Sequence, residues 1–131
     1  MIVVDTHIVV WDALLPDRLS PKAKNALARA NEGEGIILCD ITLWEIAMLM
    51  AARRLKVESP YSEFIAHLLK SNTYHLHSIT PAVAELSAHL FGDAHKDPAD
   101  RIIAATAIIA RCPLVTADAF LRRSDQMQTI W

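Results

Sequence analysis

The fold is decided by the stretch Asp97-Pro-Ala-Asp-Arg-Ile-Ile-Ala-Ala-Thr-Ala-Ile-Ile-Ala-Arg-Cys-Pro-Leu-Val-Thr-Ala-Asp118. Asp97 followed by Pro98 is typical of a helix start, because the carboxylate accepts free backbone N–H groups and proline needs none. From Ile102 to Ala110 the residues are apolar or small on almost every side of the helix. A helix of this kind is buried rather than docked by one face.

The same stretch directs three carboxylates toward one place. Pro113 ends the helix, and the short apolar run Leu114–Val115 predicts a buried strand that leads to Asp118. Asp100 falls in the first turn of the helix, where the helix dipole favours a negative charge. Ligands of parallel α/β sheets bind at the carboxyl ends of the strands. We therefore expect Asp97, Asp100 and Asp118 to face a common site.

Composition indicates one soluble globular domain spanning residues 1–131. The chain is 53% hydrophobic and 21% charged, which excludes a disordered protein, and its net charge of −2 gives no overall attraction to nucleic acid. Cys39 and Cys112 lie in apolar surroundings, and we interpret them as reduced, buried thiols of a cytoplasmic protein. The N-terminus lacks the features of a signal peptide, and no segment reaches the ~20 apolar residues that span a membrane. No membrane partner is expected.

Apolar runs alternate with helical patterns along the whole chain. Strands are predicted at Ile2–Val4, Ile36–Cys39, Leu76–Ile79, Leu114–Val115 and, as an edge strand, Met127–Trp131. Helices are predicted to begin near His7, Pro21, Asp40 or Thr42, Pro60, Thr80, Pro98 and Ala119. This alternation predicts an α/β fold, a three-layer α/β/α sandwich around a mostly parallel sheet.

Four acidic residues lie at strand ends or in the helices that follow them: Asp5, Glu45, Asp100 and Asp118. Because parallel strands end at one edge of a sheet, these carboxylates are expected to converge and to repel one another unless protons or a cation compensate. Oxygen ligands without a nearby histidine or cysteine favour Mg²⁺ or Mn²⁺ over zinc. A magnesium ion among carboxylates suits the hydrolysis of phosphodiester bonds.

Purely structural interpretations stand beside the catalytic one. Glu45 has capping-box spacing from Thr42, Asp97 is explained by helix capping alone, Asp118 suits a turn, and Asp100 suits the helix dipole. Asp5 resists such an explanation, because a carboxylate at the end of a buried strand needs a partner or a cation.

Several neighbours are accessory candidates with two interpretations each. Thr6 and Thr116 either hydrogen-bond the carboxylates or close turns, and Arg101 either holds a phosphate or pairs with a surface carboxylate. The further basic candidates for phosphate contacts, which equally suit a solvated charged face, are Arg53, Arg54, Lys56, Arg122 and Arg123. The six histidines show no metal spacing and are interpreted as structural or surface residues, with His7 and His95 nearest the site.

At this point the chain resembles the PIN-domain family, and within it the VapC-type ribonuclease toxins of toxin–antitoxin pairs. The resemblance covers nearly all 131 residues. Its anchors are Val3-Val4-Asp5-Thr6-His7, Thr42-Leu43-Trp44-Glu45-Ile46-Ala47 with Arg54-Leu55, Asp97-Pro98-Ala99-Asp100-Arg101 with the helix to Ala107, and Leu114-Val115-Thr116-Ala117-Asp118. One departure is Asp40-Ile41-Thr42, where relatives often carry serine before the glutamate helix.

The resemblance implies a parallel sheet of about five strands and an acidic quartet at Asp5, Glu45, Asp100 and Asp118. It implies Mg²⁺- or Mn²⁺-dependent cleavage of RNA, commonly tRNA or ribosomal RNA. From the convergence of the carboxylates, our hypothesis is that Asp5, Asp100 and Asp118 hold the metal and that Glu45 orients or deprotonates the attacking water. Asp97 matches an additional acidic residue found in one branch of the family. It also implies a homodimer and a VapB-type antitoxin, for which the helical region from Ile46 to Leu69 offers surface.

Two other classes of function remain open from the sequence. One is a PIN-like module that binds RNA or a partner without cutting, against which the intact quartet argues. The other is a phosphatase or a receiver-like signalling domain on a similar sheet. Asp5 is followed by Thr6-His7 rather than by the second aspartate of a dehalogenase-type phosphatase, which disfavours that reading.

Overall fold

The computed structural model describes all residues, Met1–Trp131. Its strands are β1 (Ile2–Val4), β2 (Ile36–Cys39), β3 (Tyr74–His77), β4 (Leu114–Val115) and β5 (Thr129–Ile130). Its helices are α1 (Thr6–Leu14), α2 (Pro21–Glu32), α3 (Asp40–Ala51), α4 (Tyr61–Ser71), α5 (Pro81–His89), α6 (Pro98–Ala110) and α7 (Ala119–Arg123). A single turn of 3₁₀ helix, Pro16–Arg18, lies between α1 and α2.

The five strands form one sheet in the order β3-β2-β1-β4-β5, and every neighbouring pair is parallel. The central strand β1 pairs with β2 on one side, Val3 opposite Ile37, and with β4 on the other, Val3 opposite Leu114. The predicted α/β fold with a parallel sheet is confirmed. All five strands end at the same edge, which is the edge the acidic residues follow.

Two hydrophobic cores cover the two faces of the sheet. Ile2 and Val4 of β1 face one core, which contains buried side chains of α1, α2, α3 and α4. Val3 faces the other core, which contains buried side chains of α5, α6 and α7. Because side chains alternate along a strand, the unbroken apolar run of β1 supplies both cores. This is the predicted three-layer arrangement.

The third strand lies two residues earlier than predicted, at Tyr74–His77 instead of Leu76–Ile79. It is an edge strand held by backbone pairing with β2, and Leu76 is 51% exposed. Burial therefore gave no signal for its position. Gly35 permits the close approach of this strand: its φ is +99°, and a Cβ there would lie 2.8 Å from the carbonyl oxygen of Thr73.

The start of α3 is the first of the two predicted positions. The helix begins at Asp40 with Cys39 as its N-cap, so Thr42 lies inside the first turn. The Thr42 hydroxyl contacts the hydroxyl of Thr6 at 2.9 Å instead of capping its own helix. The predicted capping box between Thr42 and Glu45 is therefore wrong, and both side chains point to other partners.

The start of α6 is as predicted. The Asp97 carboxylate accepts the backbone N–H of Asp100 at 3.1 Å, and Pro98 is the first helical residue. The helix is buried over Ile103–Ala107, but Ile109 is 44% exposed, so it is not covered on all sides near its end. Both cysteines are free, and Cys112 is only half-buried, contrary to expectation. None of the helices has the length and apolar character required to cross a bilayer.

Candidate active site

Two of the acidic residues lie at the carboxyl ends of neighbouring strands. Asp5 directly follows β1, and its Oδ1 accepts the backbone N–H of Thr6 at 2.8 Å as the N-cap of α1. Asp118 follows β4, and its Oδ1 accepts the backbone N–H of Leu121 at 2.9 Å as the N-cap of α7. The parallel pairing of β1 with β4 places both carboxylates at one edge of the sheet.

The other two acids are carried there by helices. Asp100 lies in the first turn of α6, and Glu45 lies in the second turn of α3, which packs against α6. Asp5, Glu45 and Asp100 line one cleft of about 390 Å³. Asp118 does not line this cleft, but one of its oxygens lies within 4.8 Å of an Asp100 oxygen. Asp100 thus connects Asp118 to the rest of the group.

Asp5 is a buried carboxylate whose hydrogen bonds are provided by the protein. It is 1% exposed, and its Oδ2 accepts the hydroxyl of Thr116 at 2.6 Å. The imidazole Nε2 of His7 lies 3.5 Å from the same oxygen. Thr116 in turn accepts the backbone N–H of Asp118 at 3.0 Å. The side chain of Thr116 therefore both bonds a carboxylate and closes a turn, and the two interpretations of this residue coexist.

Glu45 is linked to Asp5 through Thr6, whose hydroxyl bonds Glu45 and whose backbone N–H bonds Asp5. The Thr6 hydroxyl donates a short hydrogen bond to Glu45 Oε1 and lies 2.9 Å from the hydroxyl oxygen of Thr42. Burial, assisted by the charges of Asp5, Asp97 and Asp100 and opposed by the Thr6 hydrogen bond, raises the pKa of Glu45 to about 7. A carboxyl group with this pKa exchanges protons near neutral pH.

The negative charge of Asp100 is also incompletely compensated by hydrogen bonds. Burial raises its pKa to about 6, with the charges of Asp5, Asp97 and Asp118 adding to the effect. A hydrogen bond with His95, whose Nε2 lies 2.7 Å from Asp100 Oδ2, acts in the opposite direction. The site therefore holds more negative charge than its own hydrogen bonds stabilise, which is the condition that favours a bound cation.

The donor atoms present fit a divalent cation. Nε2 of His95 and one oxygen each of Asp100 and Asp118 lie within 4.8 Å of one another. Six-coordinate ions such as Mg²⁺ accept carboxylate oxygens and keep several waters, so a half-exposed cluster suits them. His95 was predicted to be one of the two histidines nearest the site, but it was interpreted as a structural or surface residue. Its place in this cluster was missed because the sequence was searched for metal spacing within one helix or strand, whereas His95 lies in the loop before α6.

The remaining accessory candidates have structural contacts. Asp97 is exposed and caps α6. Arg101 donates to the backbone carbonyls of His95 and Leu90 at 2.7 and 2.6 Å, to that of Ser87 at 3.2 Å, and to that of Gly92 by a shorter bond. These contacts match neither predicted role of Arg101. Its guanidinium instead holds the loop between α5 and α6 in place.

Two arginines line the cleft beside the acids. Arg54 is one of the basic residues singled out from the sequence, whereas Arg18 was not. The guanidinium of Arg18 lies 5.9 Å from the ring centroid of Trp11, which also lines the cleft. Arg122 and Arg123 line a different cleft, next to Trp131, and Arg53 and Lys56 line another. Of the five predicted basic residues, only Arg54 lines the acidic cleft.

A larger cleft of about 560 Å³ lies beside the start of β1 and along α2. Its charged side chains are Lys22, Arg29 and Glu34, and Glu34 is paired with the N-terminal amine at 3.2 Å. Size alone therefore does not identify the functional site. The smaller cleft is the candidate, because only there do several undercompensated carboxylates meet.

Known structures with the same fold are toxin–antitoxin complexes. One is VapBC2 from Rickettsia felis bound to a DNA fragment from their promoter, with a TM-score of 0.73 and 17% identity, covering 98% of this chain and 97% of that one. Another is a toxin–antitoxin complex from Klebsiella pneumoniae, with a TM-score of 0.64 and 22% identity, covering 96% and 94%. At these identities the likeness establishes the fold.

Sequence comparison establishes the family. Ribonuclease VapC22 of Mycobacterium tuberculosis is 33% identical over 134 residues, which cover 99% of this chain and 98% of that protein. The sequence model of the PIN domain matches residues 2–126. The chain therefore belongs to the PIN domain family.

Proposed function

We propose that this chain is a metal-dependent endoribonuclease and the toxin of a VapBC-type toxin–antitoxin pair. The observation that carries the proposal is the meeting of Asp5, Glu45 and Asp100 in one cleft, with Asp118 beside Asp100. The match to a relative named as a ribonuclease supports the same reaction class. The bonds broken are RNA phosphodiesters.

Asp5, Asp100 and Asp118 are the residues that would hold the cation, Mg²⁺ or Mn²⁺. When bound, such a cation supplies Lewis-acid stabilisation of the charge that develops on the phosphate, and it favours ionisation of nearby water. The fixed position of Asp5 suits this role, since Thr6 and Thr116 orient both of its oxygens. Supporting hydrogen bonds of this kind set the geometry of a ligand.

Glu45 is the residue placed to accept the proton of the attacking water. Its Oε1 accepts the Thr6 hydroxyl, while Oε2 makes no hydrogen bond within the chain. With burial raising the pKa of Glu45 to about 7, this carboxylate binds a proton more readily than an exposed glutamate at neutral pH. The water then attacks phosphorus in line with the leaving 3′ oxygen.

The surroundings of the acids supply contacts for a polyanion. Arg18 and Arg54 line the same cleft, and their guanidinium groups suit the phosphates on either side of the scissile bond. A structured RNA, tRNA or ribosomal RNA, is the substrate class we propose. The net charge of −2 makes these local cations the main electrostatic attraction for RNA.

A homodimer and a VapB-type antitoxin complete the proposal, and the pair is expected in the cytoplasm. Trp44 and Met48 lie four residues apart on α3 and are 57% and 50% exposed. Side chains at this spacing share one helix face, so they offer an apolar surface for association. Light scattering on the isolated chain tests the dimer, and Trp44→Lys should weaken it.

The test of the activity is cleavage of a labelled RNA by the purified full chain. We expect cleavage with Mg²⁺ or Mn²⁺, loss of cleavage with EDTA, and loss in Asp5→Asn and Glu45→Gln. Glu63→Gln on α4 is the matched control, since Glu63 is an exposed acid outside the cleft. RNA binding by the wild type without cleavage in any divalent metal would instead identify a non-catalytic module.

The test of the partner uses co-expression with the small reading frame next to the gene. Its product should co-purify with the chain and suppress RNA cleavage. Co-purification without suppression would leave a binding partner but contradict its assignment as an antitoxin.

A further inference from the structure

His95 is held against the acidic cluster by several independent contacts. Its ring stacks on Phe120 with centroids 4.5 Å apart and an interplanar angle of 8°, and meets Phe91 edge-on at 6.2 Å. Its backbone carbonyl accepts the Nε–H of Arg101 at 2.7 Å. The imidazole is therefore fixed in orientation by its own loop and by α7, not by Asp100 alone.

The fixed ring presents Nε2 to two carboxylates. Nε2 lies 2.7 Å from Asp100 Oδ2, and an Asp118 oxygen completes a group of three atoms within 4.8 Å of one another. Neighbouring ligands of an octahedral ion, each about 2.1 Å from it, lie about 3 Å apart. The separation between His95 and Asp100 matches this spacing, and the Asp118 oxygen lies within 4.8 Å of both atoms.

A hydrogen bond between His95 and Asp100 explains less of the arrangement of these three side chains than a shared cation does. It explains the contact between His95 and Asp100, but it does not explain why an Asp118 oxygen also lies within 4.8 Å of both groups. A cation shared by the three side chains compensates both carboxylates.

We propose that His95 is a nitrogen ligand of the metal centre, so that the ion is held by imidazole as well as carboxylate. This inference rests on the proposed function for the presence of a metal, but it adds a ligand outside the acidic quartet. Imidazole suits transition metals, whereas Mg²⁺ prefers oxygen. The centre should therefore bind Mn²⁺ more tightly than Mg²⁺ by a margin that depends on His95.

The experiment is pulsed electron paramagnetic resonance of Mn²⁺ bound to the full chain, which detects a directly coordinated ¹⁴N nucleus. We expect a nitrogen coupling in the wild type and its loss in His95→Gln. Titration of the same proteins should show at least about a tenfold weaker Mn²⁺ affinity in His95→Gln and a smaller change for Mg²⁺. Circular dichroism establishes that the variant is folded.

Two control variants identify the imidazole. His89→Gln removes an exposed histidine at the end of α5, and His7→Gln removes the imidazole nearest Asp5. Both should retain the coupling. A coupling that persists in His95→Gln, or that disappears in His7→Gln instead, overturns the assignment.

The outcomes also separate this inference from the proposed function. Bound Mn²⁺ and RNA cleavage without any nitrogen coupling would reject His95 as a ligand and leave the nuclease proposal standing. Failure of the chain to bind Mn²⁺ at all would reject both.

Discussion

The acidic site has two halves that differ in how their charge is stabilised. The strand half consists of Asp5, Thr116 and Asp118. The carboxylates of Asp5 and Asp118 accept backbone N–H groups, and Asp5 also accepts the hydroxyl of Thr116. The helix half consists of Glu45 and Asp100, and burial raises the pKa of both, to about 7 and about 6. The strand half is thus held by hydrogen bonds from the backbone and from a hydroxyl, whereas burial in the helix half favours the protonated form of both carboxyl groups.

This difference follows from how each residue reaches the site. A residue at the end of a strand caps the next helix, so backbone N–H groups at the helix start are available to its side chain. Glu45 lies in the second turn of α3, where the backbone N–H groups are already used within the helix. It must therefore rely on the Thr6 hydroxyl. The place of each acid in the fold therefore decides which hydrogen-bond donors its carboxylate can reach.

The largest effect is expected from Asp5, which is part of the strand half and is also a proposed metal ligand. Asp5→Asn and Asp5→Ala should both lower the cleavage rate by about 10³-fold or more. Only Asp5→Ala should also lower the free energy of unfolding, by about 1–3 kcal/mol, because asparagine still accepts the Thr6 N–H. RNA cleavage assays and urea denaturation check the two effects. Wild-type cleavage by Asp5→Asn would remove Asp5 from the reaction.

A smaller effect is expected from Thr116, which orients Asp5 and accepts the N–H of Asp118. Thr116→Val should reduce cleavage by about 10–100-fold and stability by about 1–2 kcal/mol, since the Asp5 oxygen loses its hydroxyl donor. Thr116→Ser keeps the hydroxyl and should retain most of the cleavage activity and most of the stability. Wild-type cleavage by the valine variant, together with a loss in the serine variant, would show that packing of the methyl group, not the hydrogen bond, matters.

The helix half predicts a pH dependence of stability in the metal-free protein. Burial raises the folded-state pKa of Glu45 from its ordinary value of 4.5 to about 7, so its neutral form stabilises the fold at acidic pH. This contribution is fully present below about pH 4.5 and is lost as the pH rises through about 7. Thermal unfolding with EDTA should show a midpoint that falls by a few degrees across this window.

Glu45→Gln should flatten this part of the profile, leaving the contribution of Asp100, which is lost as the pH rises through about 6. Added Mg²⁺ or Mn²⁺ should raise the midpoint most at pH 7 and above, where both carboxylates are charged. A midpoint that rises with pH over the same range in the metal-free protein would contradict the assignment of uncompensated charge to the helix half.

The smallest effect is expected from Asp97, which lies at the border of the site. Asp97→Ser retains a capping oxygen for the N–H of Asp100 and should keep stability within about 0.5 kcal/mol and cleavage near the wild-type rate. Asp97→Ala removes the cap and should cost about 1 kcal/mol. If Asp97→Ser is stable but cleaves at least tenfold more slowly, Asp97 acts as more than a cap.

The parts of the fold that rest on burial were predictable from the sequence. β1, β2 and β4 are short apolar runs buried on both faces, and the start of α6 follows from Asp97-Pro98. β3 was misplaced because an edge strand is held by backbone pairing and leaves Leu76 exposed. Sequence patterns report burial better than they report hydrogen bonding between strands.

The candidate site shows the same division. The acids could be named because they follow strands or open helices, and parallel strands end together. The roles of Thr42, His95 and Arg101 could not be predicted, because each role depends on which other part of the chain contacts that side chain. Thr42 contacts Thr6, His95 contacts Asp100 and lies within 4.8 Å of Asp118, and Arg101 contacts carbonyls of the preceding loop. Such contacts arise only when separate elements pack together.

The central claim is that a divalent cation sits among acids gathered at the carboxyl edge of the sheet. Anomalous diffraction from crystals grown with Mn²⁺ tests it most directly. The account predicts one strong peak between Asp100 and Asp118, with Asp5 coordinated directly or through one water. No peak at this edge, or a peak bound only by residues outside the cleft, would contradict it.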